Sequence, residues 1–543
     1  MKYEKNPDMK NISSIKEAHL VKMKVSSTND LNAWFLKKKN NAYRIDGIDR
    51  IVSLLIMLEK ETMIYIIGDY DCDGIMATSI LMRALQRYGF SNVRFRLPKK
   101  FSEGFGMNMK IVDEIPDGAV IITCDNGVAA VNEVAYAKKK GHTVIVTDHH
   151  QASVDEHGDP VYPPADIVVD PAAIPGSADF DGYCGAGIAY RIAEALLPGD
   201  NILPYLMGLA AIATICDSVP LREENYVLTR NGIAYMNKGA TLPGISGLCS
   251  VLGISRITET SIGFQIGPCI NAPERMRDGD AYKSVLTMLE DEQALASEMA
   301  LHLKDINEAR KAARKDACED AYAILRGKQL PYPLLMHMPN VSEGIIGIVA
   351  GELCEKLKIP VGIFTNGEKG YMKGSFRSPE DYNMKQHMDM VKDIFYKYGG
   401  HAQAAGATIE SRMFTRLQEE LERVSERPAQ IQDNDILYYD AEITDHDIAA
   451  AIEENLKYAP FGQDNPDLIY KIKDFGVISY YGECVKKING GFRLRSQNCS
   501  AIAFDIDPPE ITGPCNMTLY GKIGYNYYKG KTYPQVELIG YEM

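Results

Sequence analysis

Three aspartates, Asp69, Asp71 and Asp73, stand at alternate positions behind the apolar run 64–67, with Gly68 ahead of them and Gly74 after. Carboxylates this close repel, so a cluster at the end of a buried run points to a hard cation held in common. If the segment is extended, alternate side chains point the same way and the three acids share one small volume. The plainer alternative is an acidic turn in which Asp71 or Asp73 caps the helix expected over 75–88. The same pattern recurs downstream. The run 121–124 ends in Asp125-Asn126-Gly127, 144–147 in Asp148-His149-His150, 167–169 in Asp170-Pro171, and the apolar helix expected over 205–215 in Cys216-Asp217-Ser218. Asp170-Pro171 reads as a turn. Asp71, Asp73, Asp125, His149 and Asp217, with Asp69 as a sixth candidate, mix carboxylate with imidazole and lack thiolate, which suits Mn2+ or Mg2+. At least four carboxylates overcharge a single ion, whereas two ions bridged by one acid balance them. Two ions about 4 Å apart serve in-line phosphoryl displacement, so phosphoester hydrolysis is the expected chemistry.

The elements that must carry these residues follow from the alternation of short β-branched runs with helical segments between about residues 64 and 169, which predicts a parallel sheet buried on both faces. In such sheets ligands bind beyond the carboxyl ends of the strands, where the acids and histidines fall. The glycine-rich entry 182–187 to the next helix offers free amides for an anion or close helix packing. Residues 291–325 contain neither Gly nor Pro and place Leu295, Met299, Leu303, Ile306, Ala313, Ala317 and Ala321 at helical spacing, which predicts a long rigid connector. A second, smaller α/β pattern follows. In it Lys373, Ser375 and Arg377 share one strand face suited to a phosphate, and Gly399-Gly400 before His401 allows close approach of backbone to ligand. Residues 428–435 read as a linker. The last hundred residues alternate short strands, with hairpin signals at Asn489-Gly490 and Lys529-Gly530, and predict a small β-barrel. Its aromatics, Phe492, Tyr520, Tyr525, Tyr527, Tyr528 and Tyr533, interleave with Lys486, Lys487, Arg493, Arg495, Lys522, Lys529 and Lys531. Base stacking with backbone neutralisation is one reading of that pattern, and ordinary β core is the other.

The chain of 543 residues carries a net charge of −14, which excludes a uniformly basic DNA-coating surface and leaves local basic patches. No apolar run is long enough to span a bilayer, and eleven scattered cysteines without a Cys-x-x-Cys pair argue against a disulfide framework and a zinc knuckle. A cytoplasmic protein with no membrane association is expected.

At these residues the chain resembles the DHH phosphoesterase superfamily, and within it the RecJ-type single-stranded-DNA-specific exonucleases. The ordered matches are Gly68 to Gly74, Asp125-Asn126-Gly127, Asp148-His149-His150, residues 184–187, Asp217 to Leu221, Asn271 to Met276, residues 343–350, 373–378, Gly399-Gly400-His401 and 460–466. The resemblance implies an N-terminal extension (1–60) packed on a DHH catalytic domain (61–290), a connecting helix (291–326), a DHHA1 domain (327–427) and an OB-fold (436–543). It implies two Mn2+ or Mg2+ ions on Asp71, Asp73, Asp125, His149 and Asp217, with Asp125 bridging, and His150 beside the scissile phosphate as orienter or proton donor. Arg275, Ser375, Arg377 and His401 would grip substrate phosphates, and the OB-fold would guide single-stranded DNA. The implied activity is 5' to 3' exonucleolytic hydrolysis in repair or recombination, with a single-strand-binding protein or helicase as a partner. A phosphodiesterase of short oligonucleotides or cyclic dinucleotides and a non-catalytic DNA-binding scaffold are the alternatives. Three positions depart from the family pattern: Ile67 and Ser342 where histidines are common, and Glu274 where a glycine precedes Arg-Met.

Overall fold

The computed structural model describes residues 2–12, 14–25, 44–427, 436–479, 483–488, 490–504, 506–528 and 530–543. The expected linker 428–435, the turn residues Asn489 and Lys529, and the Tyr528 side chain lie outside what is described.

Five parallel strands form the first sheet, in the order Val93–Arg96, Ile64–Ile67, Val120–Cys124, Thr143–Thr147, Ile167–Val169. Both faces are covered, which is why the strands other than the edge strand Val93–Arg96 are almost continuously apolar. Ile64, Ile66, Ile122 and Ile145 pack under helices Cys72–Tyr88, Gly185–Leu196 and Leu203–Cys216, whereas Ile67, Ile121, Val144 and Val146 face helices Met109–Glu114 and Val131–Lys139. Strand order reverses direction beside Ile64–Ile67, the first strand of this sheet in sequence, whose neighbours are the sheet's second and third, and the crevice at such a switch point is where ligands bind.

The helix Gln293–Leu325 spans about 50 Å at 1.5 Å per residue and joins this lobe to the second. Its buried face is Ala296, Ala300, Leu303, Asn307, Ala317, Cys318 and Ala321, so the expected face is right in the second half and rotated in the first, where Leu295 is exposed. Small alanines let helix Pro243–Leu252 pack closely there, and the alanine ridge rather than the largest side chains sets the contact. The second lobe is a mixed sheet in the order Lys397–Gly400, Ala404–Glu410, Tyr371–Arg377, Val361–Asn366, Leu334–His337, with helix Glu343–Leu357 against it.

The C-terminal unit is a seven-stranded sheet that includes the long antiparallel pair Cys515–Tyr528 and Lys531–Glu542. Phe492 and Tyr520 are buried, Phe492 in its core and Tyr520 stacked on Tyr3, so of the two readings of these aromatics the β-core one holds for this pair. The unit docks on the first lobe through residues 457–464. The Leu221 amide donates to Gln463 O at 2.8 Å, Tyr226 Oη to Ala459 O at 2.9 Å and Arg230 to Lys457 O at 2.9 Å.

The resemblance places the N-terminal extension on the catalytic lobe. Among its described residues, only those near Ile45, Ile51 and Leu55 pack there. Strand Lys2–Lys5 instead pairs in parallel with Ile436–Tyr439, and helix Ile15–Lys22 buries Ala18 and His19 against the C-terminal unit. The reason is polar as well as apolar: Lys22 Nζ pairs with Asp440 and donates to Asp467 O at 2.9 Å, while His19 Nε2 meets Asn455 Oδ1 at 2.7 Å. His19 stacks on Tyr458 with centroids 4.3 Å apart.

Burial lowers the His19 pKa to about 4, so this imidazole is neutral when docked. The unfolded chain then binds more protons between about pH 6.5 and 4, and docking stability falls as pH drops through that window by up to about 3 kcal/mol. Urea unfolding at pH 7 and pH 4.5 should show the loss, and His19→Gln should flatten it.

Candidate metal centre and phosphate-binding cleft

The acids converge by a different route from the one expected. Asp71 is the N-cap of helix Cys72–Tyr88, its Oδ1 accepting from the amides of Asp73 and Gly74 at 3.0 and 3.2 Å. Asp73 therefore lies in the first helical turn rather than on an extended segment, and capping and clustering coexist in one residue. The free amides of residues 182–187 are likewise not open to a phosphate. Gly185 and Ala186, opening helix Gly185–Leu196, donate to the two Asp73 carboxylate oxygens at 2.6 and 2.8 Å. A helix N-terminus thus stabilises a buried aspartate that would otherwise be repelled by its neighbours.

Asp125 follows its strand in a left-handed conformation, φ +63°, and its amide donates to Thr147 O at 3.1 Å. Asn126 ties the switch point together, donating to Ile67 O at 3.0 Å and to Cys124 O at 2.9 Å. A Cβ on Gly185 would stand 2.5 Å from Asp125 Cβ, so only glycine admits this approach.

Among the described residues two groups of donor atoms, Asp69, Asp71 and Asp125 on one side and Asp73, His149 and Asp217 on the other, are overlapped by a third, Asp125, His149 and His150; within each the atoms lie inside 4.8 Å. His149 Nε2 sits 3.0 Å from Asp125 Oδ1, 3.6 Å from Asp73 Oδ2 and 3.7 Å from Asp217 Oδ2, so Asp125 stands between the groups. Asp69 belongs with the first group, its buried Oδ1 having no hydrogen-bond partner. Ile67 is buried in the apolar core on the far face of the sheet. Burial and then the neighbouring carboxylates hold Asp69, Asp71 and Asp125 above the usual carboxylate range, and push Asp217 up to about 8. Burial keeps His149 neutral, as a ligand nitrogen requires. Oxygen-rich donors in two adjacent groups fit two hard divalent ions.

Asp148 does not face the cluster. Its Oδ2 accepts from the Val128 amide at 2.9 Å and its Oδ1 from His150 Nδ1 at 2.8 Å. Burial works against a charge on His150, but Asp148 outweighs it and raises the pKa to about 9. Phe105, half exposed, meets the His150 ring edge-on at 5.1 Å. Asp170 forms the expected turn, its Oδ1 accepting from Ala172 and Ala173.

Beside the acids lies a group of cations. Arg275 ends helix Gly267–Met276, and Arg377 ends strand Tyr371–Arg377 with Nη1 3.2 Å from Ser375 Oγ. Burial depresses both guanidinium groups, and Arg275 further depresses Arg377 across the lobes. Lys373, Ser375 and Arg377 alternate with buried Met372, Gly374 and Phe376, as expected. Gly344 closes the lobes together, since a Cβ there would meet Arg275 O at 1.9 Å. An inter-lobe cavity of about 230 Å3 is lined by Cys216, Asn271, Arg275, Arg310 and Ile348, with buried Asn271 Oδ1 unpartnered. Gly399, Gly400 and His401 are exposed at the edge of the second sheet, with Gly399 in register with Gly406 and Ser375.

Lys100 and Arg310 are the cations the sequence did not mark. Lys100 Nζ lies 5.1 Å over the Tyr70 ring, and its amide donates to Glu274 Oε1 at 2.8 Å. Glu274, the departure before Arg275-Met276, is buried and also accepts from Gly279 and Ala281, so it fixes the loop that carries Lys100. Its spacing carries no signal, because its partners are backbone amides.

The DHH family N-terminal domain is matched over residues 63–214, the DHHA1 domain over 332–427 and the RecJ OB domain over 439–540. The fold and the acidic site thus define a DHH phosphoesterase with a DHHA1 lobe. A single-stranded-DNA-specific exonuclease RecJ of Haemophilus influenzae is 30% identical over 408 residues, 70% of each chain. That of Salmonella typhimurium is 28% identical over 534 residues, covering 91% of this chain and 90% of the relative. The crystal structure of Thermus thermophilus RecJ in complex with Mn2+ superposes with a TM-score of 0.76 at 22% identity, covering 97% of this chain and 75% of that one. The chain belongs to the RecJ family of single-stranded-DNA-specific exonucleases.

Two outcomes follow for the centre. Mn2+ must displace protons from Asp217 and its raised neighbours, so its affinity, measured by isothermal titration, should rise from pH 6 to 8. Gly185→Ala should weaken Mn2+ binding by more than about tenfold, as loss of a ligand-orienting contact does.

Proposed function

We propose that this chain is a metal-dependent exonuclease that removes nucleotides from the 5' end of single-stranded DNA in repair or recombination. The observation that carries this reading is the pair of donor groups with Asp125 between them, set against the inter-lobe cations. In this reading Asp69, Asp71, Asp73, Asp125, His149 and Asp217 hold two Mn2+ or Mg2+ ions, the metals named with solved RecJ relatives. When bound, the two ions supply a water nucleophile at neutral pH and charge stabilisation for an in-line displacement.

The protein's part is positioning and proton transfer. Arg275, Arg377 and Lys100 neutralise the strand's phosphates, with Ser375 as a hydroxyl donor, and Gly399, Gly400 and His401 meet the strand along the sheet edge. As water oxygen bonds to phosphorus and the P–O3' bond breaks, His150, kept protonated by Asp148, gives its proton to the departing oxygen. Phe105 offers the adjoining sugar or base an apolar surface. The C-terminal unit leads the strand in, its exposed Arg493, Arg495, Lys486 and Lys522 supplying local positive charge on an acidic chain. That acidity favours a single-strand-binding protein or helicase that presents DNA. The location proposed is cytoplasmic: all eleven cysteines are free, and no described helix is long and apolar enough to cross a membrane.

An oligonucleotide labelled at either end tests the reading. Mononucleotides should appear from the 5' end with Mn2+ or Mg2+ and not with EDTA. Asp125→Ala should reduce the rate by at least about a thousandfold. Binding without cleavage in every metal would favour the scaffold alternative, and preference for dinucleotides the phosphodiesterase alternative.

A further inference from the structure

The helix that delivers Arg275 begins irregularly. Between the turn Glu259–Ser261 and helix Gly267–Met276, residues Ile262–Ile266 wind as a π-turn. The Gly267 amide reaches back five residues to Ile262 O, and Pro268, which has no N–H, leaves the Phe264 carbonyl without its ordinary helical donor. Widened turns of this kind are rare and gather at functional sites.

The π-turn divides two cavities. Gly263 lines the inner one with Arg275 and Arg310, beside Cys216 and hence next to Asp217. Gln265 lines an outer cleft of about 390 Å3 between the first lobe and the C-terminal sheet, with Arg256, Lys522, Tyr525 and Tyr527. Phe264, the residue between them, is 78% exposed, more than any other described phenylalanine. A single exposed aromatic is ordinary on a protein surface. One on a widened turn that separates the two cavities a strand would have to join is not.

We propose that Phe264 is a positioning residue: a base of the single strand stacks on its ring as the backbone crosses the π-turn from the outer cleft to the inner cavity. The inference rests on the exonuclease reading and adds where the incoming strand is held. Stacking suits an enzyme that advances one nucleotide at a time, because every base has a π-face and the contact is indifferent to sequence. Carrying the ring and Arg275 on one helical run, 262–276, also fixes the distance between the stacked base and the phosphate grip.

The test has two arms. In EDTA, anisotropy of a labelled twelve-nucleotide thymidine strand should show Phe264→Ala binding roughly ten- to hundredfold more weakly than wild type. Phe264→Trp should restore binding and Phe264→Leu should not, with circular dichroism and thermal unfolding unchanged in all three. In Mn2+, the Phe264→Ala penalty on a dinucleotide, which ends inside the inner cavity, should be a few-fold at most. The proposal is overturned if Phe264→Ala binds the strand like wild type, if Leu restores binding as well as Trp, or if the loss is equal on the dinucleotide. Phe264-dependent binding without any cleavage would leave the stacking role standing and remove the exonuclease reading. Cleavage of the twelve-nucleotide strand from its 5' end with no dependence of strand binding on Phe264 would do the reverse.

Discussion

Carboxylates gathered where little water reaches repel one another, and the architecture around Asp69, Asp71, Asp73, Asp125 and Asp217 is arranged to bear that repulsion. Four of the five acids each have a different local support, and Asp69 is left with a buried, unpartnered Oδ1. Asp71 is held by the amides of its own helix, Asp73 by the opening turn of another, and Asp125 by a left-handed backbone that glycine at 185 alone accommodates. Asp217 keeps 25% of its side chain in contact with solvent. What remains uncompensated is the shared charge itself, and a pair of divalent ions is the group that would neutralise it.

The same constraint explains how much of the site could be read from the chain. Acids at strand ends announce themselves because a buried β-branched run followed by Asp has few other uses, so the sheet and the gathering of acids at its strand ends are legible from residues 64–73, 120–125 and 143–149, whereas the strand order that makes the switch point is not. Geometry within the cluster is not. Three acids at alternate positions read as extended, but Asp71 caps a helix, and the difference depends on whether Asp73 and Gly74 amides find a carboxylate. The glycines at 185 and 187 read as packing or anion binding, and the anion proves to be a side chain 112 residues away in sequence.

Long-range placement is where the sequence falls silent. Residues 2–25 have no feature that distinguishes one lobe from another, and their destination is set by Asp440, Asn455 and Asp467, far along the chain. Glu274 likewise looks like a lost glycine until its amide partners at 100, 279 and 281 are seen. At the start of the connector Leu295 marks the wrong face, because Ala296 and Ala300 make the closest helix contact there. The C-terminal aromatics split for a similar reason, since alternation names two faces without saying which is inward.

The pairing of strand Lys2–Lys5 with Ile436–Tyr439 bears on how the chain is made. Asn6 and its partner Asp440 are 434 positions apart. At 5–20 residues per second, a ribosome takes roughly 20–90 s to travel that far. Throughout that time the first strand, an unpaired edge, and the helix carrying His19 have nothing to dock on, while the parallel-sheet lobe can already close. The amino-terminal segment can therefore settle only after residues 436–440 have been made, and it then sews the C-terminal unit into place.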